Sequence, residues 1–183
     1  MTKQVKLGII GLGNMGTGHA RNIMEGKIPD IALTAVADID PARLQWAKEN
    51  LPEGIALFAT ADELMASGTC EAVLIAVPHY EHPTLAVAAM KQKLHVMVEK
   101  PAGVYTRQVR KMNEFAENAG VVFGMMFNQR TNPVYRKMHE IIHSGSMGAI
   151  KRTNWLITNW YRTQAYYDSG SWRATWAGEG GGV

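Results

Sequence analysis

Val5-Lys6-Leu7-Gly8-Ile9-Ile10-Gly11-Leu12-Gly13-Asn14-Met15-Gly16 is the stretch of sequence from which the fold can be inferred. An apolar run over residues 5–10 predicts a strand, and a helical pattern follows over residues 14–25. Between them, Gly11, Gly13 and Gly16 form a G-x-G-x-x-G pattern. Because the chain has 18 glycines, such a spacing can arise by chance, so its position between a strand and a helix carries the argument. The stretch predicts the opening of a βαβ unit with a phosphate-binding turn.

Each glycine of this turn has a separate expected role. Gly11 permits the tight turn, Gly13 lets the backbone approach a pyrophosphate, and Gly16 lets the helix pack closely on the strand. The free N–H groups at the start of the helix, around Asn14 and Met15, would then face the phosphates. The turn therefore predicts a dinucleotide site.

An acidic residue follows at the spacing that this site requires. Asp38 ends the second apolar run and stands 22 residues after Gly16. A carboxylate there accepts hydrogen bonds from the adenosine ribose hydroxyls and repels a 2′-phosphate. The alternative is that Asp38 only caps the next helix, but Asp40-Pro41 already supplies that cap. We therefore predict NAD as the cofactor in preference to NADP.

The first two thirds of the chain alternate short apolar runs with helical patterns. Such runs are typical of strands that are covered on both faces, and they occupy residues 5–10, 31–37, 72–77, 95–98 and 121–127. Between them, Thr60-Ala61-Asp62-Glu63 matches a capping box, and Thr106 is a candidate N-cap. The alternation predicts an α/β fold with a doubly wound parallel sheet over residues 1–127.

The pattern changes after Phe127. Residues 128–133 are polar and turn-like, and a helix is predicted over residues 134–143. Residues 150–159 alternate partially and carry β-branched and aromatic side chains, which predicts a strand. We interpret residues 128–183 as the beginning of a second domain.

Composition excludes several classes of protein. Hydrophobic residues make up 46% of the 183 and charged residues 19%, which is typical of neither a disordered chain nor a coiled coil. The net charge of +3 comes without any run of five Lys or Arg residues, so nucleic-acid binding is not expected. The single cysteine, Cys70, excludes an internal disulfide framework and a multi-cysteine zinc site. No apolar stretch is long enough to span a membrane, and we expect a cytoplasmic protein without a metal.

A lysine follows the fifth apolar run, in Glu99-Lys100-Pro101. The carboxyl ends of the strands are where doubly wound sheets bind ligands. A lysine there could take the proton of a substrate hydroxyl while hydride leaves the same carbon. A solvated surface charge is the usual role of a lysine, but the position between an apolar strand and a proline favours a functional one. His19, in the first helix, is interpreted as a surface or packing residue.

Together these motifs resemble those of the glucose–fructose oxidoreductase, inositol dehydrogenase and MocA (Gfo/Idh/MocA) family. The matching positions extend over nearly the whole chain and are Gly11, Gly13, Gly16, Asp38, Val77-Pro78 with His82, Glu99-Lys100-Pro101, Phe127-Asn128-Gln129-Arg130 with Pro133, Trp172-Arg173 and Gly180-Gly181-Gly182. The Glu-Lys-Pro triplet is the most specific of them. The resemblance implies an NAD(P)-binding Rossmann domain and then an α/β domain with a mostly antiparallel sheet, which supplies a substrate pocket and a homo-oligomer interface.

The resemblance also implies roles for individual residues. Lys100 would be the catalytic lysine. The cofactor-binding positions would be Gly11, Gly13, Asn14, Met15, Gly16, Asp38, Val77, Pro78, His79, His82, Glu99, Lys100 and Asn128. The substrate-binding positions would be Lys100, Asn128, Trp172 and Arg173. For His82, the alternative is that it orients its turn or starts a helix.

These features predict an NAD-dependent oxidoreductase that transfers hydride between a secondary alcohol of a sugar or polyol and the nicotinamide. Family members typically place an Asp and a His beyond the triple glycine, whereas this sequence stops at Val183. We therefore expect the 183 residues, as a fragment of a longer gene product or as a naturally shortened form, to bind the cofactor with little turnover. The alternatives are a non-catalytic dinucleotide sensor and an assembly module.

Overall fold

Six parallel strands form one sheet in the computed structural model, which describes residues 3–158, 161–168, 170 and 172–179. The strands are β1 (Val5–Ile10), β2 (Ile31–Ala37), β3 (Ala56–Phe58), β4 (Ala72–Ile75), β5 (His95–Val98) and β6 (Phe123–Met125). Their order across the sheet is β3-β2-β1-β4-β5-β6, and every neighbouring pair is parallel. The order reverses between β1 and β4, as in Rossmann sheets, which confirms the predicted α/β fold.

The helices fall into two groups along the chain. Those connecting the strands are α1 (Asn14–Met24), α2 (Pro41–Asn50), α3 (Ala61–Ala66), α4 (His82–Lys91) and α5 (Thr106–Asn118). They are followed by a 3-10 turn at Asn128–Thr131 and by α6 (Pro133–His143), α7 (Gln164–Asp168) and α8 (Trp176–Glu179). The chain divides into two compact units, Met1–Phe127 and Asn128–Val183, and the whole sheet belongs to the first. None of the helices in the described residues is long and apolar enough to cross a membrane.

The core of the first unit lies on both faces of the sheet. Ile9 and Ile10 are adjacent in β1 and both buried, but they belong to different clusters because successive strand residues point to opposite faces. On one face α1 and α2 contribute Ala20, Ile23 and Ala47, and on the other α3, α4 and α5 contribute Leu64, Met65, Ala86, Ala89, Met90 and Met112. This two-sided burial explains why the strands are continuously apolar.

Helix starts follow the sequence signals closely, with one exception. The Asp40 side chain accepts the Ala42 N–H at 2.9 Å and caps α2. Thr60 and Glu63 make both hydrogen bonds of the predicted capping box at the start of α3. The prediction that Thr106 caps α5 is wrong, because Thr106 is already helical and Tyr105 occupies the N-cap without a side-chain hydrogen bond.

Two strand assignments differ from the sequence analysis. β3 is a strand that was not predicted, because three residues are too few to show a periodic pattern. The strand predicted over residues 150–159 is wrong for residues 150–158, which form none. No described segment of the second unit pairs with these residues, and a strand without a neighbour leaves its backbone groups unbonded. Residue 159 and Gly180-Gly181-Gly182 lie outside the described residues.

Candidate functional site

The residues predicted to bind a dinucleotide in the first unit gather at one edge of the sheet. Parallel strands end at a common edge, and there β1 leads into Gly11, β2 into Asp38, and β5 into Glu99 and Lys100. β4 ends at Ile75, two residues before Val77 in the following loop. This edge flanks the position where the strand order reverses, which is the ligand-binding crevice of doubly wound sheets.

The glycine turn between β1 and α1 leaves no room for side chains at two of its three glycines. Gly11 has φ +95°, and a Cβ there would lie 2.8 Å from the Ala76 carbonyl oxygen. A Cβ on Gly16 would collide with the Gly11 carbonyl oxygen, so α1 can pack on the turn only because residue 16 is glycine.

Gly13 differs from the other two glycines. A Cβ built on it meets nothing within 4 Å, and its φ of −67° suits any residue. Gly13 is also the N-cap of α1, and as a glycine it has no side-chain oxygen with which to cap the helix. Asn14 and Met15 follow and are exposed. The turn therefore presents open space and the start of a helix to an anion, which fits a pyrophosphate.

Asp38 is tied to this turn by its carboxylate. Oδ2 accepts the Leu12 N–H at 2.6 Å, and Oδ1 accepts the Asp40 N–H at 2.9 Å. The side chain is half-buried, so the carboxylate is accessible at the end of β2. Because Asp40 caps α2, Asp38 is not needed as the helix cap, and its charge stands beside the glycine turn.

The loop after β4 is joined to the loop after β5 by His82. The His82 ring is buried, with Nδ1 2.7 Å from the Pro101 carbonyl oxygen and Nε2 2.9 Å from the Val77 carbonyl oxygen. Both ring nitrogens are thus engaged by the backbone, which favours the alternative that His82 orients its turn. His79 is also buried, and the centroid of its ring lies 5.1 Å from that of the Tyr80 ring. Pro78, in the same loop, is exposed.

Glu99 and Lys100 are neighbours with opposite exposure. Glu99 is 3% exposed, and its Oε2 accepts the Lys100 backbone N–H at 3.1 Å. The Lys100 side chain is exposed. Within the described residues, its ammonium makes no hydrogen bond or ion pair. The chain therefore presents an amine at the carboxyl end of β5 with a buried carboxylate beneath its backbone.

His19 is the residue of this site that the sequence analysis missed. Its Nε2 lies 2.7 Å from Glu99 Oε1, and the two side chains are 17% and 5% exposed. Burial pushes the pKa of Glu99 up, but the hydrogen bond and charge of His19, with the Lys100 N–H and charge, hold that pKa below its ordinary value. His19 is therefore not a helix-surface residue, and its ring packs against the buried Glu99 carboxylate. The local sequence carries no signal for this contact, because Glu99 stands 80 positions away.

The remaining predicted site residues lie in the second unit. Asn128 is exposed and begins the 3-10 turn, where its carbonyl oxygen accepts the Thr131 hydroxyl at 2.8 Å. The Arg173 guanidinium stacks over Trp172 at 4.6 Å from the ring centroid and donates to the Tyr166 hydroxyl at 2.6 Å. No group of three His, Cys, Asp or Glu side chains in the described parts of either unit could hold a metal ion.

The fold and this edge of the sheet define a Rossmann-type dinucleotide-binding protein. Residues 5–127 match the Gfo/Idh/MocA family, described as the oxidoreductase family with an NAD-binding Rossmann fold. The match covers well over half of the chain, and the chain therefore belongs to that family. The resemblance inferred from the motifs is confirmed.

Several proteins that the chain resembles are dehydrogenases. The chain is 33% identical over 144 residues to myo-inositol 2-dehydrogenase of Thermotoga maritima, which covers 79% of this chain and 42% of that protein. Scyllo-inositol dehydrogenase from Lactobacillus casei, solved with NAD(H) and scyllo-inositol, has 30% identity and a TM-score of 0.74 over 80% of this chain and 43% of its own. The WlbA dehydrogenase from Bordetella pertussis, solved with NADH and UDP-GlcNAcA, has 25% identity and a TM-score of 0.82 over 95% and 52%. The chain thus spans about half the length of these relatives.

Proposed function

We propose that this chain supplies the dinucleotide-binding part of an NAD-dependent oxidoreductase that acts on a secondary alcohol of a sugar or polyol. The observation that carries the proposal is the common edge of the sheet, which holds an open glycine turn, the Asp38 carboxylate and the exposed Lys100 amine. The inositol dehydrogenases among the relatives support a polyol as the substrate class.

Different residues of the chain would have different roles in such a reaction. Gly13 and the start of α1 hold the pyrophosphate, and Asp38 holds the adenosine ribose. When bound, NAD supplies the hydride acceptor. Lys100 accepts the proton of the substrate hydroxyl, and Asn128, Trp172 and Arg173 bind the substrate.

The cofactor is NAD rather than NADP in this proposal. Asp38 places a negative charge beside the turn, where the 2′-phosphate of NADP would meet a like charge. The relatives solved with NAD(H) or NADH are in keeping with this preference.

A pair of glycine variants tests the dinucleotide site. Gly13→Ala adds a methyl group into open space at an allowed φ, so the protein should fold normally while the methyl occupies the space of the pyrophosphate. We expect NADH affinity to fall about tenfold or more, which corresponds to about 1.4 kcal/mol. The measurement is the fluorescence titration of NADH with the purified chain.

Gly18→Ala is the matched control. Gly18 lies in α1, and a Cβ on it also meets nothing within 4 Å. Alanine in a helix interior is favoured over glycine by about 1 kcal/mol, so this variant should be slightly more stable and should bind NADH as the wild type does. Equal NADH affinity in the wild type and Gly13→Ala would contradict the proposed site.

Lys100→Ala separates the enzyme from a non-catalytic dinucleotide sensor. A sensor has no need of an amine on the nicotinamide side of the site. In the full-length protein that contains this chain, we expect Lys100→Ala to abolish turnover of polyols with NADH binding intact. Unchanged turnover would exclude Lys100 as the catalytic residue.

A further inference from the structure

The carboxylate of Glu99 connects two parts of the candidate site. Its Oε1 lies 2.7 Å from Nε2 of His19, and its Oε2 accepts the Lys100 backbone N–H at 3.1 Å. The Glu99 backbone is itself fixed, because its N–H donates to the Ile75 carbonyl oxygen at 2.9 Å. Each oxygen of a buried carboxylate thus holds a different segment.

His19 lies in the second turn of α1, the helix that begins at the glycine turn. At Gly16 this helix packs directly against the Gly11 carbonyl, so a shift of α1 would also move the glycine turn. A dinucleotide bound at the start of α1 is therefore linked to the Lys100 backbone through two hydrogen bonds, from His19 to Glu99 and from Lys100 to Glu99.

We propose that His19 is a positioning residue, which holds Lys100 in place relative to the bound dinucleotide through the Glu99 carboxylate. This inference rests on the proposed function. The exposed Lys100 side chain has no partner of its own within the described residues, so its backbone supplies the fixed point for its amine. The flexible aliphatic side chain of a lysine gains a defined direction only when the backbone that carries it is held.

A purely structural role for His19 is the competing explanation. On that view the ring only neutralises a buried charge, and any variant that restores stability would restore the behaviour of Lys100. The double variant His19→Leu/Glu99→Gln makes the distinction, because it removes the buried charge together with the ring. It should fold without an unpaired carboxylate, and it still lacks the link between α1 and Lys100.

The test measures acetylation of Lys100 by acetic anhydride in the 183-residue chain, with and without saturating NAD⁺, by peptide mass spectrometry. Lys48, which is exposed on α2, is the internal reference. We expect NAD⁺ to slow acetylation of wild-type Lys100 about fivefold or more relative to Lys48. In the double variant, at NAD⁺ concentrations that saturate it, we expect this protection to fall below about twofold.

A conservative variant of His19 and a control variant of another histidine test whether the effect depends on the contact with Glu99. His19→Gln can still donate an N–H to Glu99, so it should keep most of the protection. His95→Gln is the matched control, because His95 is an exposed histidine at the start of β5, at the opposite edge of the sheet. It should behave as the wild type.

Several outcomes would overturn the proposal. Wild-type protection in the double variant would show that Lys100 is held without His19. Loss of NADH binding in the double variant would show that His19 and Glu99 together build the cofactor site as a whole instead of positioning Lys100. A wild-type chain that binds no NADH would refute the proposed function itself, and the positioning role with it.

Discussion

Glu99 is a buried carboxylate whose ionised form is maintained by its neighbours. Burial alone would raise its pKa, but the hydrogen bond and charge of His19 and the N–H and charge of Lys100 outweigh burial, so the pKa lies below the ordinary value of 4.5. A group whose pKa is lower in the folded than in the unfolded state stabilises the protein above the unfolded value. That stability is lost as the pH falls through the folded value.

The Glu99→Gln variant tests this acid dependence. We expect the free energy of unfolding at pH 7 to drop by about 2 kcal/mol or more, because the neutral amide is a weaker acceptor for His19 than the carboxylate. As the pH falls below 4.5, the wild type should lose stability more steeply than the variant, which has no carboxylate to protonate at this position. Urea unfolding from pH 7 to pH 3 measures both effects.

Glu53→Gln serves as the control for that series, since Glu53 is exposed after α2. Its stability should follow the wild type at every pH. Parallel curves for the wild type and Glu99→Gln below pH 4.5 would contradict a lowered pKa for Glu99.

Asp38 is the residue that we expect to select NAD over NADP in the proposed site. Asp38→Ala would also remove the acceptor for the Leu12 N–H and disturb the turn, so it is an ambiguous test. Asp38→Asn keeps an acceptor oxygen and removes the charge. We expect the ratio of NAD to NADP affinity to fall about tenfold or more in this variant, because a like-charge contact of about 1.4 kcal/mol or more is removed.

Fluorescence titration with NADH and NADPH measures that ratio. The Glu53→Gln variant also removes one negative charge and should leave the ratio unchanged. If Asp38→Asn weakens binding of both cofactors equally, Asp38 acts by holding the turn and does not select the cofactor.

At the residue scale, sequence reasoning finds groups whose neighbours are local and misses those whose partners are distant. Gly11, Gly13 and Gly16 are recognisable because a strand, a turn and a helix are consecutive in the chain. The partner of His19 is Glu99, 80 positions away, and no local spacing reports that pair. Only the folded sheet, which aligns the ends of β1 and β5 at one edge, brings them together.

At the element scale, helix caps depend on partners that are local in the chain, whereas strands depend on partners that are distant. A helix cap such as Thr60 with Glu63 is completed within four residues, so the sequence alone predicts it. A strand needs a hydrogen-bonded neighbour. Residues 95–98 find neighbours in β4 and β6, whereas residues 150–158 have the alternating pattern and no described partner in their unit. An alternating side-chain pattern is therefore not sufficient for a strand.

At the scale of the whole molecule, the two units differ in what they bury. All the apolar side chains that the structure describes as buried belong to the first unit, between Leu7 and Ala119. In the second unit, α6, α7 and α8 bury none, and α6 exposes Val134, Met138, Ile141 and Ile142. Apolar burial is the dominant favourable contribution to folding. We therefore expect the described part of the second unit to lose its structure at a lower urea concentration than the first.

The single cysteine reports on the first unit alone. Cys70 is buried beside Gly8 and Leu64. This burial raises the pKa of its thiol above the ordinary value of 9.0, although hydrogen bonds from Gly8 and Thr69 act to lower that pKa. Both effects suppress reaction with a thiol reagent at pH 8, because the thiolate is the nucleophile and it is inaccessible. Cys70 should become reactive only when the core of this unit opens.

Tryptophan fluorescence reports on the other unit, since four of the five tryptophans follow residue 150 and the fifth is Trp46. In a Trp46→Phe variant, we expect the fluorescence to change at a lower urea concentration than that at which Cys70 begins to react with a chromogenic disulfide. The two transitions should be separate, because among the described residues only those of the first unit bury an apolar core. Coincident transitions would mean that the units stabilise each other, and rapid modification of Cys70 without urea would contradict the closed core around β4.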